Sequence, residues 1–311
     1  MNKLIVTSSP HLHSPKSTQR VMLDVIIALL PAVAAGAYLF GFRALLLVAV
    51  CVLSSIVSEF FFNLIVKKEQ TILDLSAPVT GIILALNLRA DAPIWQCILG
   101  SVFAIVVVKC LFGGLGCNFA NPAVTARVFL LISFGKAIGG GAAPVMAPNA
   151  ELVSGATPLV VLKDGGELPS LVDMLFGFRG GAIGETCIIA IAIGFVYLVA
   201  RRIINLETPL IMIATVFVLS LIADNSFTTA TYQILSGGLV FGAVFMATDY
   251  VTTPITRSGK MIFAFGCGLI TFLIRRFGVY PEGVSFSILL MNILSPYIEK
   301  WTAKMPLGGK K

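Results

Sequence analysis

The stretch Ala44–Val66, ALLLVAVCVLSSIVSEFFFNLIV, decides how the rest of the chain is read. Its only ionisable side chain of full charge is Glu59, and as a helix rising 1.5 Å per residue it is long enough to cross a hydrocarbon core of ~30 Å. Ala182–Ala200 reads the same way. Of the 311 residues, 57% are hydrophobic and 12% charged, against roughly 25% charged in an average soluble domain. A soluble fold cannot bury that much apolar surface, so these runs are membrane spans.

Working outward from that stretch, apolar runs bounded by breakers fall at about 21–40, 43–66, 75–88, 94–112, 122–134, 182–200, 208–223, 231–247, 260–275 and 283–298. The chain therefore reads as an all-α integral membrane protein with about ten transmembrane helices. The third run, holding Pro78 and Gly81, and the fifth, behind Asn121-Pro122, are short and read as tilted, broken or half-spanning segments. Sliding the second half over the first by 161 residues sets Gly81 on Gly242 and Pro93 on Pro254, and a slide of 160 sets Val124-Thr125 on Val284-Ser285. A duplication with five spans per half inverts the second copy, which puts interrupted helices and ligands near the midplane.

Lys and Arg in the short connections orient the chain. With the N-terminus inside, thirteen basic residues face inward and four, Arg43, Arg89, Arg275 and Arg276, sit in short outer turns. Arg275 and Arg276 run against the bias. This gives a cytoplasmic N-terminal tail (1–20), a first membrane repeat (21–134), an extracytoplasmic loop (135–181), a second membrane repeat (182–298) and a cytoplasmic C-terminal tail (299–311). A signal peptide is not expected, because polar residues fill the chain before the first apolar run. Nor is nucleic-acid binding, because the net charge of +7 is spread over span ends. Six scattered cysteines without a CxxC signal neither a disulfide framework nor an iron–sulfur site.

The outer loop carries Ser154-Gly155-Ala156-Thr157-Pro158-Leu159. A threonine hydroxyl behind Gly and Ala is a nucleophile that a modifying enzyme can enclose, and attack on a flavin nucleotide's pyrophosphate would leave FMN on a phosphoester. A flexible small-residue turn before Pro158 is the plainer alternative. The loop's length adds weight, since long connections in compact proteins are usually functional or disordered.

Other stretches join this one in order: Ser8-Ser9-Pro10-His11, Ser17-Thr18 ahead of Ala28-Leu29-Leu30-Pro31-Ala32, Gly113-Gly114-Leu115-Gly116, Asn121-Pro122-Ala123, and Phe245-Met246-Ala247-Thr248-Asp249. Together they resemble the RnfD component of the Rnf complex, the ion-translocating ferredoxin:NAD oxidoreductase, with the NqrB component of the sodium-translocating NADH:quinone reductase as a close relative. The resemblance implies covalent FMN on Thr157 made by a flavin transferase, a urea-transporter-like fold, and work only within a complex beside the other Rnf subunits (A, B, C, E, G). Electrons would pass between ferredoxin and NAD, coupled to Na+ or H+ movement across the bacterial cytoplasmic membrane. Relatives also suggest a second, noncovalent flavin such as riboflavin between the spans.

Ionisable groups within or beside spans are Asp24, Glu59, Lys109, Arg127 and Asp249; each is costly in a membrane and should face protein or water. Asp249 fits a flavin or ion site, or a helix end bonding loop amides. Arg127, directly after Asn121-Pro122-Ala123-Val124-Thr125-Ala126, fits a hand on a flavin phosphate or a side chain snorkelling to a headgroup. Asp24 and Glu59 suit a cation route or interhelical hydrogen bonds equally. His11 and His13 lack a third metal ligand. No catalytic residue set is present, so chemistry must come from a cofactor, and the candidates for holding one are Thr157, Ser154, Gly155, Ala156, Asn121, Arg127 and Asp249. A solute channel or carrier of urea-transporter-like architecture without redox role is the competing function.

Overall fold

The computed structural model describes residues 17–145, 157–166, 168–278 and 282–303. His11, His13 and Ser154–Ala156 lie outside them. Helices dominate: α1 (Thr18–Phe40), α2 (Phe42–Val66), α3 (Ser76–Leu86), α4 (Ile94–Val102, continued in wider π-type turns over Phe103–Cys110), α5 (Pro122–Ser133), α6 (Gly135–Ile138), α7 (Pro158–Asp164), α8 (Leu171–Phe176), α9 (Ile188–Ala200), α10 (Glu207–Asp224), α11 (Phe227–Leu235), α12 (Leu239–Phe241, continued over Gly242–Met246), α13 (Arg257–Phe277) and α14 (Val284–Thr302). Each apolar run of the sequence is helical over most of its length.

The ends follow local chemistry. The Ser17 side chain accepts from Arg20 N at 3.3 Å to start α1, and Asn121 Oδ1 accepts from Ala123 N and Val124 N to start α5, with Pro122 in the first turn where its missing N–H costs nothing. Among the described residues α1, α2, α10 and α13 are each long and apolar enough to cross a membrane, and α11 with α12 makes one further candidate, bent by 62° at Ser236–Gly238. Their outward faces stay apolar: Leu53, Ile65, Val218 and Phe265 are exposed, as are Ile193 on α9 and Ile293 on α14. Such a belt suits lipid, and this is a multi-pass membrane protein.

Inside, α1 packs on α9 and α5 on α14, while α2 packs on α3 and α4 as α10 packs on α13. The α1–α9 contact is close enough that a Cβ at Gly194 would run into the Ala28 carbonyl. The short helices α3 and α12 lie between the halves, and Asn87 Nδ2, just beyond α3, reaches Met246 Sδ at 3.5 Å. They run in opposite directions. Helix α3 ends where the Leu86 and Leu88 carbonyls accept from Gly184 N and Ile183 N, the end of the bundle that also holds Leu39 and Val145. Helix α12 begins at that end and finishes near the start of α1. Cys51, Cys97, Cys110 and Cys267 are buried in this core as free thiols.

Candidate cofactor sites

Two sites lie at opposite ends of the bundle. At the first, Thr157 precedes Pro158 at the start of α7 and its carbonyl accepts from Val160 N and Val161 N at 2.9 and 3.2 Å. Its hydroxyl makes no capping bond. Oγ1 is buried and, among the described residues, has no hydrogen-bond partner. Leaving a hydroxyl dry and unpaired costs roughly 1–3 kcal/mol, so its conversion to an ester removes a penalty as well as adding a group. An orphaned nucleophile at this position fits a phosphoester.

Helix α7 leans on the break between α11 and α12, where a Cβ at Gly237 would lie 2.7 Å from Leu159 Cδ1 and 3.3 Å from Arg275 Nη2. Charged side chains gather there. Glu282 Oε1 accepts from Gly238 N at 3.0 Å, capping the start of α12, and Oε2 receives Arg127 Nη2 at 3.3 Å. Arg127 Nη1 holds the Ile138 carbonyl at 3.2 Å. Arg179 Nη2 holds the Glu185 carbonyl at 2.7 Å, and Glu185 Oε1 accepts from Ala182 N at 2.9 Å. The segment Ala182–Cys187 is turn rather than helix, so Glu185 lies before α9 begins.

The Glu185 and Glu282 carboxyls meet over Gly238, where a Cβ would lie 3.3 Å from Glu185 Oε2 and 2.8 Å from Glu282 Oε1, close enough for each charge to disfavour the other. Burial, and then the Glu282 charge, push Glu185 up to about 8. Burial works against the Glu282 charge too, but Arg127 and the Glu185 proton hold that carboxyl below the usual range. The two shifts run in opposite directions and favour the proton on Glu185 over Glu282.

The opposite end holds an open cleft walled by residues of α1, α3, α5 and the continuation of α12. Its walls are apolar, with Met22, Val25, Ile83 and Phe245 among them, and its polar groups include Thr80, Asn118, Asn121, Thr248 and Asp249. At its floor Lys109 Nζ donates to Glu59 Oε1 at 2.8 Å and to Ser76 Oγ at 2.6 Å. Thr71 Oγ1 donates to the same Glu59 oxygen at 2.6 Å. Asp249 accepts from Val251 N and Thr252 Oγ1, so it bonds its own helix end and lines the cleft at once.

The candidate residues fall in two places. Asn121 and Asp249 share the cleft, whereas Arg127 and Thr157 belong to the other end, α5 spanning between them. Arg127 is occupied by Glu282 and Ile138 rather than standing free for a phosphate. Asp24 pairs across α1 and α9 with Tyr197 Oη at 2.8 Å and Arg201 Nη2 at 3.3 Å. The sequence alone did not single out Glu185, Glu282, Arg179 or Lys163. Arg275 and Arg276 were visible as the basic pair on the wrong side of the charge bias.

The sequence profile of the family described as NQR2, RnfD, RnfE matches residues 5–308, which is nearly all of these elements. The chain belongs to that family. Among its relatives are three D components of ion-translocating complexes. One, from the Na+-translocating ferredoxin:NAD+ oxidoreductase complex of Acetobacterium woodii, is 46% identical over 312 residues, 99% of this chain and 96% of the relative. Its counterpart in the proton-translocating ferredoxin:NAD+ oxidoreductase complex of Clostridium ljungdahlii is 38% identical, over 100% of this chain and 98% of that one. The third, from the ion-translocating oxidoreductase complex of Stutzerimonas stutzeri, is 40% identical over 91% and 90% of the two chains. Membership of the NQR2, RnfD, RnfE family covers both halves of the bundle, so both sites lie within it.

Proposed function

We propose that the chain is a membrane component of an Rnf-type electron transport complex, passing electrons between ferredoxin and NAD while Na+ or H+ crosses the membrane. Support comes from full-length similarity to proteins so named, one from a Na+-translocating and one from a proton-translocating complex. It works beside the other Rnf subunits and has no complete activity alone.

Thr157 carries FMN through a phosphoester introduced by a flavin transferase. The observation that carries this is the Thr157 hydroxyl, buried and unpaired at the head of α7. A second, noncovalent flavin such as riboflavin suits the cleft at the other end, whose apolar walls accept a flat ring and whose Asn118, Asn121 and Thr248 offer polar contacts to its rim. Bound flavin supplies one- and two-electron transfer. The protein's own part is to hold, orient and dry each group, and α12, reaching from the Thr157 end to the cleft, ties the two together.

Ten spans in two inverted repeats are supported by the opposed α3 and α12 and by the meeting of α1 with α9 and α5 with α14, as around a two-fold axis. The charge bias sets both termini in the cytoplasm and Thr157 outside, in a bacterial cytoplasmic membrane.

The test is denaturing electrophoresis of the chain co-expressed with its flavin transferase. A fluorescent band, lost in Thr157→Ala, is expected; a dark wild-type band ends the proposal for FMN. Acid extraction of the fluorescent protein should release free riboflavin from the cleft.

A further inference from the structure

Arg275 lies at the inner wall of a second opening at the Thr157 end, between α7, α10, α11 and α13, with about 700 Å³ of empty space. Lys163, Arg276, Asp224, Gln233 and Phe272 share its lining. Arg275 is only 4% exposed. Its Nη1 and Nη2 are spent on the Gln233 and Ser236 carbonyls at 2.5 and 3.1 Å, but Nε is buried and, among the described residues, unpartnered. Asp224 is the one carboxylate in the lining and is bonded to Arg276 at 2.6 Å. Among the described residues Lys163 Nζ donates to a neutral carbonyl, that of Gly278, at 3.0 Å. Lys163 and Arg276 stand against the lining carboxylate Asp224, while Arg275 also feels Glu282 and Glu185 behind it, so one cation is in surplus; a guanidinium N–H without an acceptor costs more than a neutral one.

Lys163 and Thr157 are the two ends of α7, roughly 9 Å apart along the helix. Phe272 adds an aromatic wall. We propose that this opening is a phosphodiester receptor: Arg275 Nε and Lys163 Nζ hold one singly charged phosphodiester, with Arg276 at its rim. The same chemistry has two sources. One is the Thr157 phosphoester itself, which rests on the FMN reading above; the other is a phospholipid headgroup, which does not.

The experiment measures binding of dihexanoyl phosphatidylglycerol to the purified protein, wild type loaded with flavin beside Thr157→Ala, with dihexanoylglycerol as the phosphate-free control. Saturable binding to Thr157→Ala but not to the loaded wild type assigns the site to the protein's own phosphoester. Equal binding to both assigns it to a lipid headgroup. Lys163→Gln and Arg276→Gln, at exposed positions that spare the fold, should each weaken binding, Lys163→Gln by about tenfold. No saturable binding to Thr157→Ala, or binding untouched by Lys163→Gln, overturns the proposal. A wild type that carries no flavin yet binds the lipid through Lys163 removes the FMN reading and leaves the receptor standing.

Discussion

Lys109 and Glu59 form an ion pair at 2.8 Å with both side chains shut away from the surface, joining the end of α4's extension to α2. Ser76 and Thr71 complete the network, and Ser76 is itself bonded to Asp74 through Oγ and N at 2.5 and 2.8 Å. The start of α3 is therefore held by this polar network as well as by the packing of Ala77 against Ile105 and Cys110. Glu59 Oε2 is buried without a partner among the described residues, so the pair is already at the limit of what the site can satisfy. Lys109→Met would strand a buried carboxylate at a cost of about 3–5 kcal/mol. The double substitution Lys109→Met with Glu59→Gln should recover most of that loss. Thermal unfolding in detergent decides it: a single variant as stable as the double would show that the pair does not hold α3.

Thr157→Val tests the opposite case. The hydroxyl it removes makes no bond to the described protein, so without flavin the variant should match the wild type within about 1 kcal/mol or exceed it. A loss well beyond that in unloaded protein would mean that the hydroxyl has a structural partner. Flavin fluorescence should vanish in the same variant.

Much of this was legible in the chain, and the reasons differ by element. Helices α1, α2, α10 and α13 announce themselves by apolar length alone, and Pro78, Gly81 and Asn121-Pro122 mark the short segments that follow their own rules. Arg275 and Arg276 were legible as an anomaly whose setting was not: both line an opening beside α7. Glu185 and Glu282 carried no signal. Each sits among turn residues far from the other in sequence, and only the packing of the loop before α9 against the start of α14 brings their carboxyls together. Asn121, Arg127 and Asp249 stood out in the sequence as separate candidates. Helix geometry separates them, since α5 carries Asn121 and Arg127 toward different ends.

Gly194 is a contact that the halves cannot lose. A methyl group there would overlap the Ala28 carbonyl and come within 2.9 Å of Phe245 Cζ, and neither backbone nor a packed aromatic ring can withdraw without moving α1 or α12. Gly194→Ala should destabilise the protein by about 1–3 kcal/mol through overpacking. Because Phe245 lines the cleft, it should also lower the yield of extractable flavin. Unchanged melting and unchanged flavin together would show that α1 and α9 are free to part.

The raised Glu185 carboxyl beside Glu282 gives stability a slope with pH. Unfolded, Glu185 loses its proton near its ordinary 4.5; folded, burial and the Glu282 charge delay that to about 8. Between those values the folded state binds the extra proton, so stability falls as pH rises and levels off above about 8. Glu282, held low by Arg127 against its burial, gives the opposite slope only below its ordinary 4.5 and leaves the neutral range untouched. Glu185→Gln keeps an amide able to donate to Glu282 and cannot ionise. Its melting temperature should therefore change less between about pH 6 and pH 9 than that of the wild type, the two curves drawing apart until about pH 8. Parallel curves across that range would place the proton elsewhere and remove the carboxyl pair as a titrating unit beside Thr157.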